Sequence, residues 1–111
     1  MSKGDFLGEF EQVVLLAVAR LSGEGYGVSI RREIEHQARR EVTVGAVYAT
    51  LDRLEAKGLI SSQAGAPTPT RGGRSKRFFE LEPAGAQALE DARSMMDRMW
   101  DGVALDGLDS R

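Results

Sequence analysis

The sequence predicts a mainly α-helical (α+β) fold, in which three helices, a two-stranded β-hairpin and a long last helix follow one another. Two observations lead to this fold class. Apolar residues recur at helical spacing in four separate stretches of the 111-residue chain. Between the third and fourth stretches the periodicity changes, because two short strand-like runs, 59–63 and 76–81, flank a segment rich in turn-forming residues. The length is that of one small domain.

The first two helices are predicted to be amphipathic. The first has an apolar stripe at i, i+3, i+4, i+7 spacing, formed by Phe6, Phe10, Val13, Val14, Ala17, Val18 and Leu21. The loop 22–25 ends it. The second helix is shorter and more basic, and it runs from Val28 to Arg39 with an apolar face of Ile30, Ile34 and Ala38.

The third helix has signals for both of its ends. Thr43 suits the N-cap, and Lys57-Gly58 supplies a cation in the last turn followed by a C-terminal glycine. One face is apolar, with Val47, Leu51 and Leu54; the other carries Tyr48 among small residues, namely Gly45, Ala46, Ala49 and Thr50. Such a face can approach a protein groove, a partner helix or the DNA major groove closely, and it equally suits tight packing inside the domain.

A hairpin follows, with predicted strands Leu59–Gln63 and Lys76–Leu81 and a long loop between them. Four cations lie in the loop and its returning arm, without an acid among them: Arg71, Arg74, Lys76 and Arg77. A cluster of this kind suits a phosphate backbone, although charged loops are also commonly just solvated.

Pro83 is predicted to open a fourth helix at the position that proline prefers. Its apolar residues alternate by three and four along a heptad seam of Leu89, Ala92, Met96, Met99 and Val103. This seam either forms a homodimer or packs on the first helix of the same chain. Beside it, Trp100 with Met95, Met96 and Met99 either packs in the interface or forms a site for a small aromatic ligand.

The charge of the chain is unevenly distributed. The formal net charge is −2, yet residues 26–79 carry ten basic and five acidic side chains, and residues 80–111 carry three basic and eight acidic ones. A basic middle indicates an anionic partner there. The absence of cysteine and of a membrane-length apolar run predicts a soluble, cytoplasmic protein with no membrane partner.

The sequence does not favour an enzyme. The only histidine, His36, lies in a strongly charged helix without an evident partner. We find no nucleophile elbow, no phosphate-binding glycine loop before a lysine and no metal-ligand spacing, so no cofactor and no metal site is expected.

Helix, helix, helix, hairpin, helix is the layout of a winged helix-turn-helix. Three separated motifs resemble the PadR family of bacterial transcriptional regulators, in its short form with a single C-terminal dimerisation helix: Gly25-Tyr26-Gly27, the run Thr43–Ile60, and the run Gly72–Leu81 followed by Gly85. The sequence departs from the family at Ala46, where a hydroxyl residue is usual, and at Phe78-Phe79, where a tyrosine is usual.

The resemblance implies a winged helix-turn-helix DNA-binding domain at 1–81 and a dimerisation helix at 82–104, with a tail at 105–111 that we expect to be disordered. It implies a homodimeric repressor that binds a palindromic operator in double-stranded DNA. The residues that it places at the DNA are Tyr26, Thr43, Gly45, Ala46, Tyr48, Ala49 and Arg53, with the wing cations Arg71, Arg74, Lys76 and Arg77. Some members of the family respond to a small aromatic effector.

The alternative is a winged-helix module that binds another protein and never contacts DNA. The wing favours DNA, since four cations in seven residues suit phosphates, whereas a protein-docking wing would carry exposed apolar groups.

Overall fold

The structure, a computed structural model, describes residues 6–65 and 76–108. It has the predicted mainly α fold with one antiparallel hairpin. The elements in chain order are α1 Glu9–Arg20, α2 Gly27–Ala38, α3 Val44–Ala56, β1 Ile60–Ala64, β2 Arg77–Leu81 and α4 Pro83–Trp100. Within the described ranges, no helix is both long and apolar enough to cross a membrane.

Helices α1, α2 and α3 pack around one core, which the base of the hairpin completes. The core side chains are at most 3% exposed: Val14, Leu15, Ala17, Val18, Ile30, Ile34, Val47, Leu51, Leu54, Ile60 and Phe79. Two details differ from the predicted stripe on α1. Phe6 precedes the helix and is 65% exposed, whereas Leu15 is fully buried, because α1 contacts α2, α3, β2 and α4 and so buries a wide face.

Helix α3 ends at the predicted glycine. Gly58 adopts a left-handed conformation with φ 78°, and the amide of Leu59 donates to the carbonyl oxygen of Leu54 at 3.0 Å. This C-terminal motif occupies Leu59, and β1 therefore begins at Ile60, one residue later than predicted.

Strands β1 and β2 pair in a register that runs from Ile60 opposite Leu81 to Ala64 opposite Arg77. On its other edge, β2 is held by the segment that precedes α2, since the amide of Phe79 donates to the carbonyl oxygen of Gly25 at 2.9 Å. The base of the wing is thus fixed to the helical part of the domain by backbone hydrogen bonds and by the buried Phe79 ring.

Helix α4 begins at Pro83, as predicted, and packs on the domain only through its first half, where Gly85 is buried and Leu89 contacts the core. It ends at Trp100, since the C-cap residue Asp101 has a non-helical ψ of 127° and Gly102 follows with φ 78°. Val103 was predicted on the helical seam but lies beyond the helix end, which corrects the predicted bound at 104. A single 3₁₀ turn, Asp106–Leu108, lies within the stretch expected to be a disordered tail.

Candidate nucleic-acid interface

The first two turns of α3 present a nearly bare surface. The hydroxyl of Thr43 accepts a hydrogen bond from the amide of Ala46 at 3.0 Å and caps the helix as predicted. On these turns Val47 and Leu51 face the core. The five predicted site residues there are exposed: Thr43, Gly45, Ala46, Tyr48 and Ala49. An incoming surface can therefore approach the backbone of α3 closely along this face.

Thr50 does not belong to that surface, contrary to the sequence prediction. It is 2% exposed, and its hydroxyl accepts a hydrogen bond from Nη2 of Arg53 at 3.2 Å. The helical repeat places residue 50 beside Val47 and Leu54, on the core side. The buried hydroxyl has a hydrogen-bond partner there, because the Arg53 side chain reaches it.

Tyr48 is held against the start of α2. The tip of its ring lies over Gly27, so close that a Cβ at residue 27 would fall far inside van der Waals contact with it. Gly27 is buried, while Tyr48 remains 36% exposed. The second glycine of the Gly-Tyr-Gly motif, Gly27, thus leaves the space that the Tyr48 ring occupies between α2 and α3.

Tyr26 links the start of α2 to the wing. It is the N-cap residue of α2, and its ring meets the edge of Phe78 with a centroid distance of 5.8 Å. The ammonium group of Lys76 lies 4.3 Å from the centre of the same ring, in a cation–π contact. The structure therefore brings two predicted site residues, Tyr26 and Lys76, together beside the exposed face of the wing.

Arg53 is anchored from behind by a carboxylate that the sequence analysis missed. Glu11 of α1 is 12% exposed; its Oε2 lies 3.1 Å from Nζ of Lys57 and 3.8 Å from Nε of Arg53. Burial raises the pKa of Glu11, but hydrogen bonds from the Gly8 amide and Lys57, together with both cations, lower its pKa below 4.5 overall. Glu11 shares a face with Val14, Leu15 and Val18, and an acid on an apolar face is the signal that could have identified it.

Arg77 is directed towards α3 rather than outwards. Its guanidinium contacts Glu55 and, at 3.4 Å, Asp52, both on α3. The predicted contact of Arg77 with DNA remains a prediction, and two of the donor nitrogens that it would use are occupied within the protein. The other predicted wing cations, Arg71 and Arg74, lie outside the described residues.

The predicted dimer seam is largely uncovered in the single chain. Leu89 and Ala92 are half-buried, whereas Met96 is exposed and Met99 is 68% exposed. Of the predicted ligand residues, Trp100 is 55% exposed and Met95 is partly so. Leu89 in the first half of α4 packs against the core of the same chain, whereas Met96 and Met99 of the seam stay exposed in it.

A groove of about 580 Å³ lies along a different side of α4. Its lining is mainly apolar with three charged residues, and consists of Phe6, Leu7, Lys57, Leu59, Ala84, Gln87, Ala88, Asp91, Met95 and Arg98. Of the predicted ligand residues, it contains Met95 and not Met96, Met99 or Trp100. The groove and the predicted ligand site therefore share Met95 but otherwise lie on different sides of the helix.

The described part of the chain contains no group of three or more histidine or carboxylate side chains able to hold a metal ion. His36 is exposed near the end of α2.

Comparison with known proteins agrees with this geometry. The sequence profile of the Transcriptional regulator PadR-like family matches residues 15–91. Transcriptional regulator Rv3488 of Mycobacterium tuberculosis is 33% identical over 76 residues, which are 68% of this chain and 66% of that relative. This relative and the matched family are transcriptional regulators and not enzymes.

Two solved structures show the same fold. A PadR family transcription regulator from Clostridium difficile R20291 has a TM-score of 0.67 and 20% identity, and the match covers 85% of this chain and 96% of that one. A PadR-like transcriptional regulator from Bacillus cereus has a TM-score of 0.65 and 19% identity, covering 81% and 82%. The chain belongs to the PadR-like family of transcriptional regulators.

Proposed function

We propose that the chain is a cytoplasmic, sequence-specific DNA-binding repressor that acts as a homodimer on a palindromic operator. The observation that carries this proposal is the exposed small-residue face of α3, capped by Thr43 and flanked by the wing through Tyr26 and Lys76. A helix enters the major groove, which is about 12 Å wide, most deeply where its side chains are small.

Base recognition by this face relies on few side chains. Thr43 and Tyr48 carry the hydroxyl groups on the first two turns, while Gly45, Ala46 and Ala49 offer backbone and methyl groups. Methyl groups contact the thymine methyl, and hydroxyls bond to either partner of a base pair. Direct recognition is therefore modest, and the shape of the DNA contributes the rest of the specificity.

In our proposal, cationic side chains around the exposed face of α3 bind the phosphates. Lys76 stands on the Tyr26 ring at the wing, and Arg53 stands at the second half of α3, with its guanidinium supported by Thr50 and Glu11. Arg71 and Arg74 join them in our proposal from the sequence alone. These cations supply affinity without sequence preference and make binding depend on salt.

The homodimer forms in our proposal through the second half of α4. An exposed run of large apolar side chains on a projecting helix is unusual for a monomer and is typical of an interface. Met96, Met99 and Trp100 belong to it. Each such side chain, if fully buried against a second copy, stabilises the pair by about 1.5–3 kcal/mol.

A small aromatic effector is the last part of the proposal, with Met95, Met96, Met99 and Trp100 as its site. Thioethers adapt to a flat ligand, and an indole stacks on one. Such a compound releases DNA only if it binds the non-operator geometry of the dimer more tightly than the operator geometry. Trp100 is the only tryptophan, so quenching of its fluorescence by planar aromatic compounds, weakened by operator DNA, tests this part directly.

Selection from random duplex DNA tests the proposal as a whole. We expect enrichment of a palindrome whose half-sites lie about one helical turn, 34–36 Å, or a multiple of it apart. Its affinity should fall with salt at a slope of about −0.9 per phosphate contact. A protein that enriches no sequence and binds no duplex at low salt belongs to the alternative class, a winged-helix module for protein partners.

A further inference from the structure

Two adjacent cations on the returning arm of the wing point in opposite directions. Lys76 lies over the ring of Tyr26, the N-cap residue of α2. Arg77 begins β2, and its guanidinium stacks 5.0 Å from the centre of the buried Phe79 ring, two residues along on the same face of the strand. The two adjacent charges thus contact different parts of the domain: Lys76 lies at the start of α2, whereas Arg77 lies against α3.

Arg77 is the centre of a network that joins both strands to α3. Its Nε donates to Oγ of Ser62 on β1 at 3.0 Å, and its terminal nitrogens donate to Glu55 and, at 3.4 Å, to Asp52. The hydroxyl of Ser62 in turn donates to the second oxygen of Glu55 at 2.7 Å. One carboxylate of α3 therefore holds one residue from each strand.

We propose that Arg77 is a positioning residue, which fixes the wing at a set angle to the third helix, and that it does not itself bind phosphate. This inference rests on the proposed DNA-binding function. Each of the three nitrogens of its guanidinium already has a protein partner, and two of those partners are carboxylates that offset its charge. Arg77 thereby determines where Lys76 meets the DNA, relative to the bases under α3.

Removal of the Glu55 carboxylate tests this inference, because the two roles of Arg77 predict opposite changes in DNA affinity. If Arg77 bound phosphate, Glu55→Ala would release a cation and delete a negative charge, and binding to every duplex would strengthen. If Arg77 positions the wing through Glu55, the same variant weakens operator binding, since the wing loses its fixed angle. Glu41→Ala is the matched control, because it removes an exposed acid just before α3.

The experiment measures the affinity of each variant for the selected operator and for a random duplex. We expect Arg77→Ala and Glu55→Ala each to lower operator affinity about tenfold with random-duplex affinity changed less than about twofold, and the double variant to be no weaker than Arg77→Ala. Arg77→Lys should recover part of the loss, because an ammonium can pair with one of the two acids. Lys76→Ala should weaken both duplexes alike.

Two results would overturn the inference. One is stronger DNA binding by Glu55→Ala. The other is an equal loss of affinity for both duplexes in Arg77→Ala, with the slope of log affinity against log salt flattened by about 0.9. Amide hydrogen exchange of the DNA-free protein tests the same network without DNA. Exchange of the β1 and β2 amides should accelerate in Arg77→Ala and Glu55→Ala and not in Lys76→Ala or Glu41→Ala. Unchanged exchange contradicts the positioning role, whereas wild-type protein that binds no duplex contradicts the proposed function instead.

Discussion

The ring of Tyr48 occupies the space that a side chain at residue 27 would need. Gly27 is the first residue of α2 and is buried, and Tyr48 lies on the exposed side of α3. This contact sets the distance between the two helices at the end that we place on the DNA. It also explains the glycine of the Gly-Tyr-Gly motif by close approach, since Gly27 has no left-handed backbone conformation.

Gly27→Ala should therefore displace Tyr48 without unfolding the domain. The atoms in the way are at the far end of a partly exposed side chain, which can turn about χ1, and alanine favours the helix by up to about 1 kcal/mol over glycine. We expect a melting temperature within about 4 °C of wild type and a loss of operator affinity of about tenfold or more. Circular dichroism and fluorescence anisotropy measure the two quantities.

The double variant Gly27→Ala with Tyr48→Ala is the control for that displacement. With the ring removed, the added methyl group has room, and the double variant should bind no more weakly than Tyr48→Ala alone. A fully additive loss would mean that Gly27 acts on DNA binding by some route other than Tyr48.

Gly85→Ala should act on stability instead. A Cβ there would fall far inside contact with the backbone carbonyl oxygen of Leu59, and neither backbone can move without breaking the hydrogen bond from Glu82 to the same carbonyl. We expect a loss of about 2 kcal/mol or more in the free energy of unfolding, measured by urea denaturation. Gly107→Ala, where the added methyl meets nothing, should leave stability unchanged.

Most of the fold could be predicted because its signals are local. The cap at Thr43, the glycine after Lys57 and the proline at residue 83 each act within a few residues, and all three mark element ends in the structure. The end of α4 was placed too late because the heptad spacing continues to Val103 in sequence, whereas the backbone of Asp101 and Gly102 is no longer helical.

The partners of the site residues were less predictable than their faces. Periodicity placed Gly45, Ala46 and Ala49 on an outer surface, but it put Thr50 there as well, because a small polar residue gives no strong signal at a core boundary. The contacts of Arg77 with Asp52 and Glu55 join residues at least 22 positions apart. Such pairs depend on how the wing packs against α3, which no local pattern records.

The ion pairs of Glu11 should make the stability of the protein sensitive to acid, because they join α1 to α3. Its folded-state pKa lies below the ordinary 4.5, so the ionised carboxylate stabilises the fold above pH 4.5, and this stabilisation is lost as the pH falls through the lower folded value. Glu11→Gln should cost about 1 kcal/mol at pH 7 and should reduce the dependence of stability on pH below 4.5. Urea denaturation at a series of pH values, from pH 7 into the acid range, measures both effects.

A loss of stability in Glu11→Gln that stays the same from pH 7 into the acid range would contradict this role, because the neutral amide and the acid should differ little once Glu11 is protonated. Glu9→Gln is a matched control on the same helix: Glu9 pairs with Arg40 at an exposed position, where an ion pair contributes little.

Met96→Glu should shift the protein from dimer to monomer. The change places a charge in the middle of the exposed apolar seam of α4, where burial against a second copy would leave it without a partner. Ser94→Glu adds the same charge on the opposite side of the helix and should leave the dimer intact. Sedimentation velocity distinguishes the two. A stable Met96→Glu dimer would place the interface on another surface.

Ala49→Glu tests whether the small-residue face of α3 contacts DNA. Ala49 is exposed on that face, and a carboxylate there would oppose the phosphates and fill the space that close approach requires. Ala86→Glu, at an exposed position in the first turn of α4, adds the same group elsewhere. In fluorescence anisotropy with the selected operator, we predict that Ala49→Glu binds at least about 100-fold more weakly than wild type, with the melting temperature and the oligomeric state unchanged, and that Ala86→Glu binds normally. Wild-type affinity in a folded Ala49→Glu protein would contradict the account, because it would show that α3 does not enter the groove through this face.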